Sequence, residues 1–208
     1  EQKVENILEK YHNNTVFFEG NILFHCLNHL KDNDNLFIGN SLAIRTLERF
    51  SPNMNKKISV YSNRGASGID GLIATALGTA YYHTSERNIL ILGDISFFHD
   101  MTSLLIGNHY TINMSIIIIN NGGGQIFNML PYKKKIDKKY DKFWTTPVDI
   151  EIKQTCKLYK LDYYAINSIE EIKNNLYDIL DSKGVNIIEI KTDFNTTQNI
   201  QEEINQKF

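Results

Sequence analysis

The chain has 208 residues, of which 42% are hydrophobic and 22% are charged, and its formal net charge is −2. These values are ordinary for a globular protein with a sizeable core, and the small negative charge gives no reason to expect nucleic acid as a partner. The longest largely apolar run, residues 114–119, is far too short to cross a bilayer, so no membrane span is expected.

The two cysteines, Cys26 and Cys156, form neither a disulfide framework nor a metal-ligand spacing. We therefore expect both to be small buried hydrophobic residues in a reducing compartment. The first residues do not have the pattern of a signal peptide. Together these features favour a cytoplasmic protein.

Short apolar runs alternate with stretches of helical periodicity along the first part of the chain. Ser41 is expected to cap the helix that follows it, through about residue 50. The predicted elements are, in order, helix 15–30, strand 36–39, helix 41–50, strand 58–61, a glycine-rich turn at 65–68, helix 69–83, strand 88–92, helix 96–110 and strand 114–120.

The second part of the chain begins with a segment, residues 121–124, that is too rich in glycine for regular structure. A short helix at 125–130 is expected to stop at Pro131, and the Lys-rich segment 132–144 is expected to be mobile. Helix 150–159, strand 162–166, helix 168–182, strand 186–191 and a terminal helix follow. The alternation predicts a single α/β domain over residues 1–208, doubly wound, with about six mostly parallel strands and helices on both faces.

Polar residues and glycines are concentrated where the predicted strands end, and open α/β sheets bind their ligands beyond those ends. Asp94 follows a strand and precedes a helix, where a carboxylate can bind Mg²⁺ or simply cap the helix; alone, the cap is the simpler explanation. Residues 120–124 alone suggest a flexible loop. On successive parallel strands, however, Asp94 and Asn121 favour a magnesium diphosphate site, with Ser96 and the helix start binding the anion.

Several motifs at these strand ends resemble those of the thiamine-diphosphate-dependent MenD family of the menaquinone pathway. They are Gly39-Asn40-Ser41 with Arg45, Tyr61 to Gly71, Gly93-Asp94-Ile95-Ser96, and Gly123-Gly124-Gln125-Ile126-Phe127 with Leu130-Pro131. Ile95 departs from the Gly-Asp-Gly that opens the cofactor motif in many thiamine-diphosphate enzymes, and Gly122 stands where the family can carry a third Asn. The resemblance spans roughly residues 37–147.

The resemblance implies a cofactor, a metal and two carboxylate substrates. Thiamine diphosphate would bind with Mg²⁺ or Mn²⁺, and the family joins 2-oxoglutarate to isochorismate with loss of CO₂. The implied metal ligands are Asp94, Asn121 and the carbonyl of Gly123. The other implied cofactor contacts are Asn40, Ser67, Ile69, Gly93, Ile95, Ser96 and Gln125, and the implied substrate contacts are Ser41, Arg45, Arg64, Ile126, Phe127 and Leu130.

The family also carries a pyrimidine-binding domain whose glutamate activates the cofactor, and we expect that domain to lie outside this chain. No residue of this chain is therefore expected to supply that function, and Glu19 and Glu48 are expected to be solvated or ion-paired within helices. We accordingly expect a C-terminal fragment or a split subunit that is inactive alone and that joins a homodimer or homotetramer.

Three alternatives remain open from the sequence. One is another thiamine-diphosphate enzyme, such as a 2-oxo-acid decarboxylase or an acetolactate-synthase-like protein. Another is a non-catalytic subunit that binds thiamine diphosphate. The last is an Asp-based phosphotransfer domain of the same topology, which would require further acidic residues at the strand ends.

Overall fold

The computed structural model describes residues 8–13, 16–130 and 141–207. Its strands are short and largely apolar, as expected for a sheet that is covered on both faces. They are β1 (Asn35–Ile38), β2 (Ser59–Tyr61), β3 (Asn88–Gly93), β4 (Met114–Asn120), β5 (Asp162–Ile166) and β6 (Val185–Lys191).

Helices connect the strands and cover them. They are α1 (Glu19–Asn28), α2 (Leu42–Phe50), α3 (Leu72–Tyr82), α4 (Asp94–Asp100), α5 (Leu105–His109), α6 (Ile152–Tyr159), α7 (Ile169–Asp181) and α8 (Phe194–Asn205). Residues 8–12 are also helical. Shorter helical turns are the 3₁₀ segments Met101–Leu104 and Gln125–Met129 and the π-helical turn Asp141–Thr145.

The six strands form one sheet in the order β2-β1-β3-β4-β6-β5, and every neighbouring pair is parallel. The chain leaves β1 toward β2 on one side and returns to β3 on the other. The strand order therefore reverses between β1 and β3, and a reversal of this kind opens a crevice beyond the carboxyl ends of the strands. The predicted doubly wound fold is confirmed.

Alternate residues of each strand point to opposite faces of the sheet and contribute to two separate cores. Helices α1, α2 and α7 pack on one face, against residues such as Ile91 and Ile117. Helices α3, α4 and α6 pack on the other face, against residues such as Leu92 and Ile118. Both cysteines are free and buried in these cores, as predicted.

Two predicted helix starts near the crevice were wrong. Ser41 precedes α2 but makes no capping hydrogen bond with its side chain, because its backbone adopts an unusual conformation with φ 67° and ψ −126°. Helix α3 begins only at Leu72, since Gly71 has a left-handed φ of 66° that ends the preceding loop. Both loops therefore remain irregular where they border the crevice.

One further prediction differs from the structure, and another falls mostly on residues that the structure does not describe. The helix expected at 96–110 begins at Asp94 and is interrupted by the 3₁₀ turn, so that it forms α4, that turn and α5. The mobile segment expected at 132–144 lies outside the described residues as far as residue 140, as does Pro131. None of the described helices has the length and apolar composition needed to span a bilayer.

Candidate functional site

A cavity of about 490 Å³ lies beyond the carboxyl ends of β1, β3 and β4, at the reversal of the strand order. This volume lies within the range of small-molecule and cofactor sites. Segments from four parts of the chain line it: the start of α1, the β1–α2 turn with the loop before α3, the β3–α4 turn, and the region that follows β4. The topology therefore places the cavity where the sequence analysis expected ligand binding.

Asp94 connects the end of β3 to the loop after β4. Its Oδ1 accepts a hydrogen bond from the Ile95 N–H at 2.8 Å, and its Oδ2 accepts one from the Gly123 N–H at 2.7 Å. Only 5% of the residue is exposed, and burial raises the pKa of Asp94 to about 6, although these backbone hydrogen bonds oppose the shift. A bound cation would favour the ionised form of this buried carboxyl.

Gly123 brings the loop after β4 into close contact with the segment 141–146. Its φ is 127°, and a Cβ at this position would lie 2.4 Å from the carbonyl oxygen of Thr145. The next residue, Gly124, donates its N–H to the same oxygen at 2.7 Å. Only glycine satisfies both the backbone angle and the space at position 123.

Three residues that line the cavity, Asp94, Asn121 and Gly123, carry oxygen atoms that suit a hard cation which also binds phosphate. The Asp94 carboxylate, the Asn121 amide oxygen and the Gly123 carbonyl are ligand types that Mg²⁺ accepts, together with phosphate oxygens and water. The Gly123 carbonyl accepts the Gln125 N–H at 2.8 Å, which leaves it a second lone pair. The residues present therefore fit a magnesium diphosphate.

Two arginines border the cavity on its β1 side. Arg64 donates to Asn40 Oδ1 at 2.9 Å, and Arg45 donates to the Ser41 carbonyl at 2.7 Å. Asn40 also donates to the Gly68 carbonyl at 2.6 Å, so it joins the end of β1 to the loop before α3. Across the described ranges neither guanidinium forms an ion pair, which leaves both available for an anionic ligand.

Apolar side chains form the opposite wall of the cavity. Ile126 and Phe127 of the 3₁₀ turn line it with Phe143 and Trp144, and the Phe127 and Trp144 rings meet edge to face at 5.5 Å between centroids. Ile69 lines it from the loop before α3. The cavity therefore has one apolar wall and one wall rich in hydrogen-bond donors, as small-molecule sites commonly do.

The structure brings almost all of the predicted site residues together. The lining includes Asn40, Ser41, Arg45, Arg64, Ser67, Ile69, Gly93, Asp94, Ile95, Ser96, Asn121, Gly123, Gln125, Ile126 and Phe127. Leu130 does not line the cavity, because it follows the end of the 3₁₀ turn and its side chain is 38% exposed. His99 is exposed on α4.

Glu19 is the lining residue whose environment the sequence analysis predicted wrongly. It was expected to be solvated or ion-paired, but it is only 2% exposed and accepts a hydrogen bond from Asn121 Nδ2 at 2.8 Å. Burial raises the pKa of Glu19, a shift that the Asn121 hydrogen bond opposes and the nearby Asp94 reinforces. No local pattern in the sequence signals this environment, because the partner Asn121 lies far away along the chain.

Comparison with known proteins defines the class to which this fold and site belong. Residues 44–190 match the family model described as thiamine pyrophosphate enzyme, C-terminal TPP binding domain. The chain belongs to this family. Within it, the chain is homologous to 2-succinyl-5-enolpyruvyl-6-hydroxy-3-cyclohexene-1-carboxylate synthases, so the resemblance to the MenD family is confirmed.

Three curated synthases illustrate this homology. The protein from Oceanobacillus iheyensis is 40% identical over 173 residues, which are 83% of this chain and 29% of that protein. The Listeria welshimeri protein is 37% identical over 188 residues, 90% of this chain and 32% of that protein. The Staphylococcus aureus protein is 43% identical over 143 residues, 69% of this chain and 25% of that protein. This chain thus spans about a third or less of these relatives.

A solved structure supports the fold independently of close sequence similarity. A Mycobacterium smegmatis protein described as thiamin diphosphate-dependent superposes with a TM-score of 0.67 at 14% identity. The match covers 85% of this chain and 32% of that protein. At this identity the likeness shows a shared fold.

Proposed function

We propose that this chain binds the diphosphate and the metal ion in a thiamine-diphosphate-dependent transferase that joins decarboxylated 2-oxoglutarate to isochorismate. The product would be 2-succinyl-5-enolpyruvyl-6-hydroxy-3-cyclohexene-1-carboxylate. The metal would be Mg²⁺ or Mn²⁺. A cytoplasmic location, a homodimer or homotetramer, and a pyrimidine-binding domain that completes the active site belong to the same proposal.

One observation carries this proposal: Asp94 and Gly123 are directly hydrogen-bonded, and Asn121 lies in the same cavity wall. A carboxylate that only capped α4 would have no need of a glycine loop from the next strand. Ser96 and its neighbours at the start of α4 line the same cavity, and the Ser96 hydroxyl would bind phosphate oxygens. These groups together suit a metal that is shared with a diphosphate.

The cofactor, when bound, supplies the electron sink for decarboxylation and carbon–carbon bond formation. The residues of this chain would bind and orient it. Ile69 would support it from the loop before α3, and the apolar wall at Ile126 and Phe127 would exclude water from the reacting region. Arg45 and Arg64 would bind substrate carboxylates, for which the guanidinium group is geometrically suited.

Calorimetric titration of thiamine diphosphate into the chain tests the cofactor part of the proposal. We expect binding with Mg²⁺, loss of binding with EDTA, and loss of binding in Asp94→Ala. The matched control is Asp178→Ala, which removes an exposed carboxylate from α7 and should leave binding unchanged. Binding that is indifferent to both EDTA and Asp94→Ala would refute the assigned metal site.

The substrate part requires the complete, active assembly. Arg64→Ala should raise the KM for 2-oxoglutarate more than it lowers kcat, because it removes a binding contact and no reacting group. Arg49→Ala is the control, since Arg49 lies on α2 with Arg45 but does not line the cavity. Unchanged kinetics in Arg45→Ala and Arg64→Ala would favour an enzyme that acts on a less carboxylate-rich substrate.

A further inference from the structure

Glu19 occupies an unusual position for a carboxylate, because it is buried at the wall of a cavity that already contains Asp94. Its exposure is 2%, and its Oε1 lies 2.8 Å from the side-chain nitrogen of Asn121. Burying an ionisable group costs free energy unless a partner forms a hydrogen bond or an ion pair with it. The partner here is the side chain that the proposed function assigns to the metal.

Contacts of the backbone also hold Glu19 in place. Its N–H donates to Thr197 Oγ1 in α8 at 3.2 Å, and Thr197 itself is 1% exposed. Phe18, the residue before it, is fully buried against Phe50. The carboxyl group of Glu19 therefore extends from a fixed helix start toward the loop after β4.

The hydrogen bond selects one of the two orientations of the Asn121 amide. In the structure an oxygen of the Glu19 carboxyl group accepts this hydrogen bond from the amide nitrogen of Asn121. The amide oxygen is then directed away from Glu19. If the amide were rotated by half a turn, it would present its NH₂ group to a cation and lose the hydrogen bond to Glu19.

We propose that Glu19 is a positioning residue that holds the Asn121 amide with its oxygen available to the metal ion of the cofactor. This inference rests on the proposed function, since it assumes the metal site at Asp94, Asn121 and Gly123. It assigns to Glu19 a contact with a ligand of the metal and no contact with the metal itself. Partners that orient metal ligands in this way commonly affect affinity by about 10–100-fold.

Two conservative substitutions test whether the length of the Glu19 side chain or its charge is needed to hold Asn121. Glu19→Gln keeps the length of the side chain and an acceptor oxygen but removes the charge. Glu19→Asp keeps the charge but shortens the side chain by one methylene, so that it no longer reaches Asn121. Glu48→Gln and Glu48→Asp are matched controls, because Glu48 lies exposed on α2.

The measurement is the Mg²⁺ concentration required for thiamine diphosphate to bind to the chain, followed by calorimetry and by the fluorescence of Trp144, its single tryptophan. We expect Glu19→Gln to remain within about threefold of the wild-type chain, a small free-energy difference. We expect Glu19→Asp to require about 10–100-fold more Mg²⁺. Both Glu48 variants should bind as the wild-type chain does.

The outcomes distinguish this inference from the proposed function. Magnesium-dependent binding that Glu19→Asp leaves intact would overturn the inference alone, and so would a Glu19→Gln variant as weak as Glu19→Asp, which would indicate a role for charge. An absence of magnesium-dependent binding in the wild-type chain would overturn both.

A second readout does not depend on the cofactor. The side-chain amide protons of Asn121, assigned by their loss in Asn121→Asp, should exchange slowly with water in the wild-type chain and in Glu19→Gln. They should exchange faster in Glu19→Asp, because the hydrogen bond at 2.8 Å is lost. Equal exchange rates in all three proteins would contradict the positioning role even if every variant folds.

Discussion

The backbone N–H of Gly123 donates a hydrogen bond of 2.7 Å to Oδ2 of Asp94, and this contact joins the loop after β4 to the turn after β3. The two strands are neighbours in the sheet, so their ends are already close. The hydrogen bond fixes the loop relative to the carboxylate. The arrangement of the candidate metal ligands therefore depends on the shape of the loop as well as on the side chains.

Gly123→Ala should disrupt this arrangement. The new Cβ would lie 2.4 Å from the Thr145 carbonyl oxygen at a φ of 127°, so the loop must move and weaken its contact with Asp94. We expect lower thermal stability and loss of magnesium-dependent cofactor binding. Gly78→Ala is the control, because position 78 lies in α3 with open space around it; alanine there should stabilise the chain by about 0.5–1 kcal/mol. A fully functional Gly123→Ala variant would show that the loop is less constrained than its geometry indicates.

Asp94→Asn should change how the stability of the chain depends on pH. Burial raises the pKa of Asp94 from 3.8 in the unfolded chain to about 6 in the folded chain. The folded state therefore binds the proton more tightly, and the wild-type chain loses stability as the pH rises through the range between these two pKa values. The shift of roughly two units corresponds to about 3 kcal/mol. The free energy of unfolding of Asp94→Asn minus that of the wild type should therefore increase by about this amount between pH 3.5 and 7.

Urea unfolding at a series of pH values measures this difference. His12 and His25, whose pKa values burial lowers to about 4, act in the opposite direction in both proteins and cancel in the comparison. Asp178→Asn, an exposed change on α7, is the matched control for replacing a carboxylate by an amide. A flat difference for Asp94→Asn would mean that burial does not raise the pKa of its carboxyl.

Asp100→Ala should destabilise the chain without touching the cavity directly. Oδ2 of Asp100 accepts the Ile73 and Ala74 N–H groups at 2.7 and 3.0 Å, so it caps α3 from the end of α4. Its loss leaves these donors at the start of a buried helix without that acceptor, which costs about 2–3 kcal/mol. Chemical denaturation measures the change. His99→Ala, an adjacent exposed substitution, should be nearly neutral; a similar loss in both would argue against the cap.

Arg87→Met should lower the stability of the chain and leave its affinity for the cofactor unchanged. The Arg87 Nε donates to Asp34 Oδ1 at 2.9 Å, and the Asp34 side chain is only 3% exposed. Removing the arginine leaves a buried carboxylate without its cation, which costs about 3–5 kcal/mol. The pair directly precedes β1 and β3, so it lies at the amino ends of the strands, whereas the cavity lies at their carboxyl ends. The affinity of the folded variant for the cofactor should therefore not change. A tighter or weaker affinity would reveal coupling across the sheet.

The sequence predicted the sheet and most of the cavity lining because both depend on short-range patterns. Parallel strands that are buried on both faces read as apolar runs, and Asp94 and Asn121 follow two such runs directly. Once the strands pair in parallel, the polar residues that follow them must all lie beyond the carboxyl ends of the sheet. No knowledge of side-chain packing was needed for that step.

Long-range contacts account for what the sequence did not predict. Glu19 is more than 100 residues from Asn121 in the chain, and no local pattern distinguishes it from a solvated glutamate of an amphipathic helix. Ser41 looked like a helix cap, but its backbone follows the turn at the cavity and leaves the capping geometry unformed. Tertiary contacts determined both environments.

The contact between Gly124 and Thr145, with the adjoining rings of Phe127 and Trp144, joins the segment after β4 to the segment 141–146. Structural units linked in this way tend to open together in native-state hydrogen exchange. The amide of Gly124 and the amides around Trp144 should then share one opening free energy. Escape of a molecule from the cavity past this wall would require the same opening event, so that one motion would limit both the exposure of these amides to solvent and the residence time of the occupant.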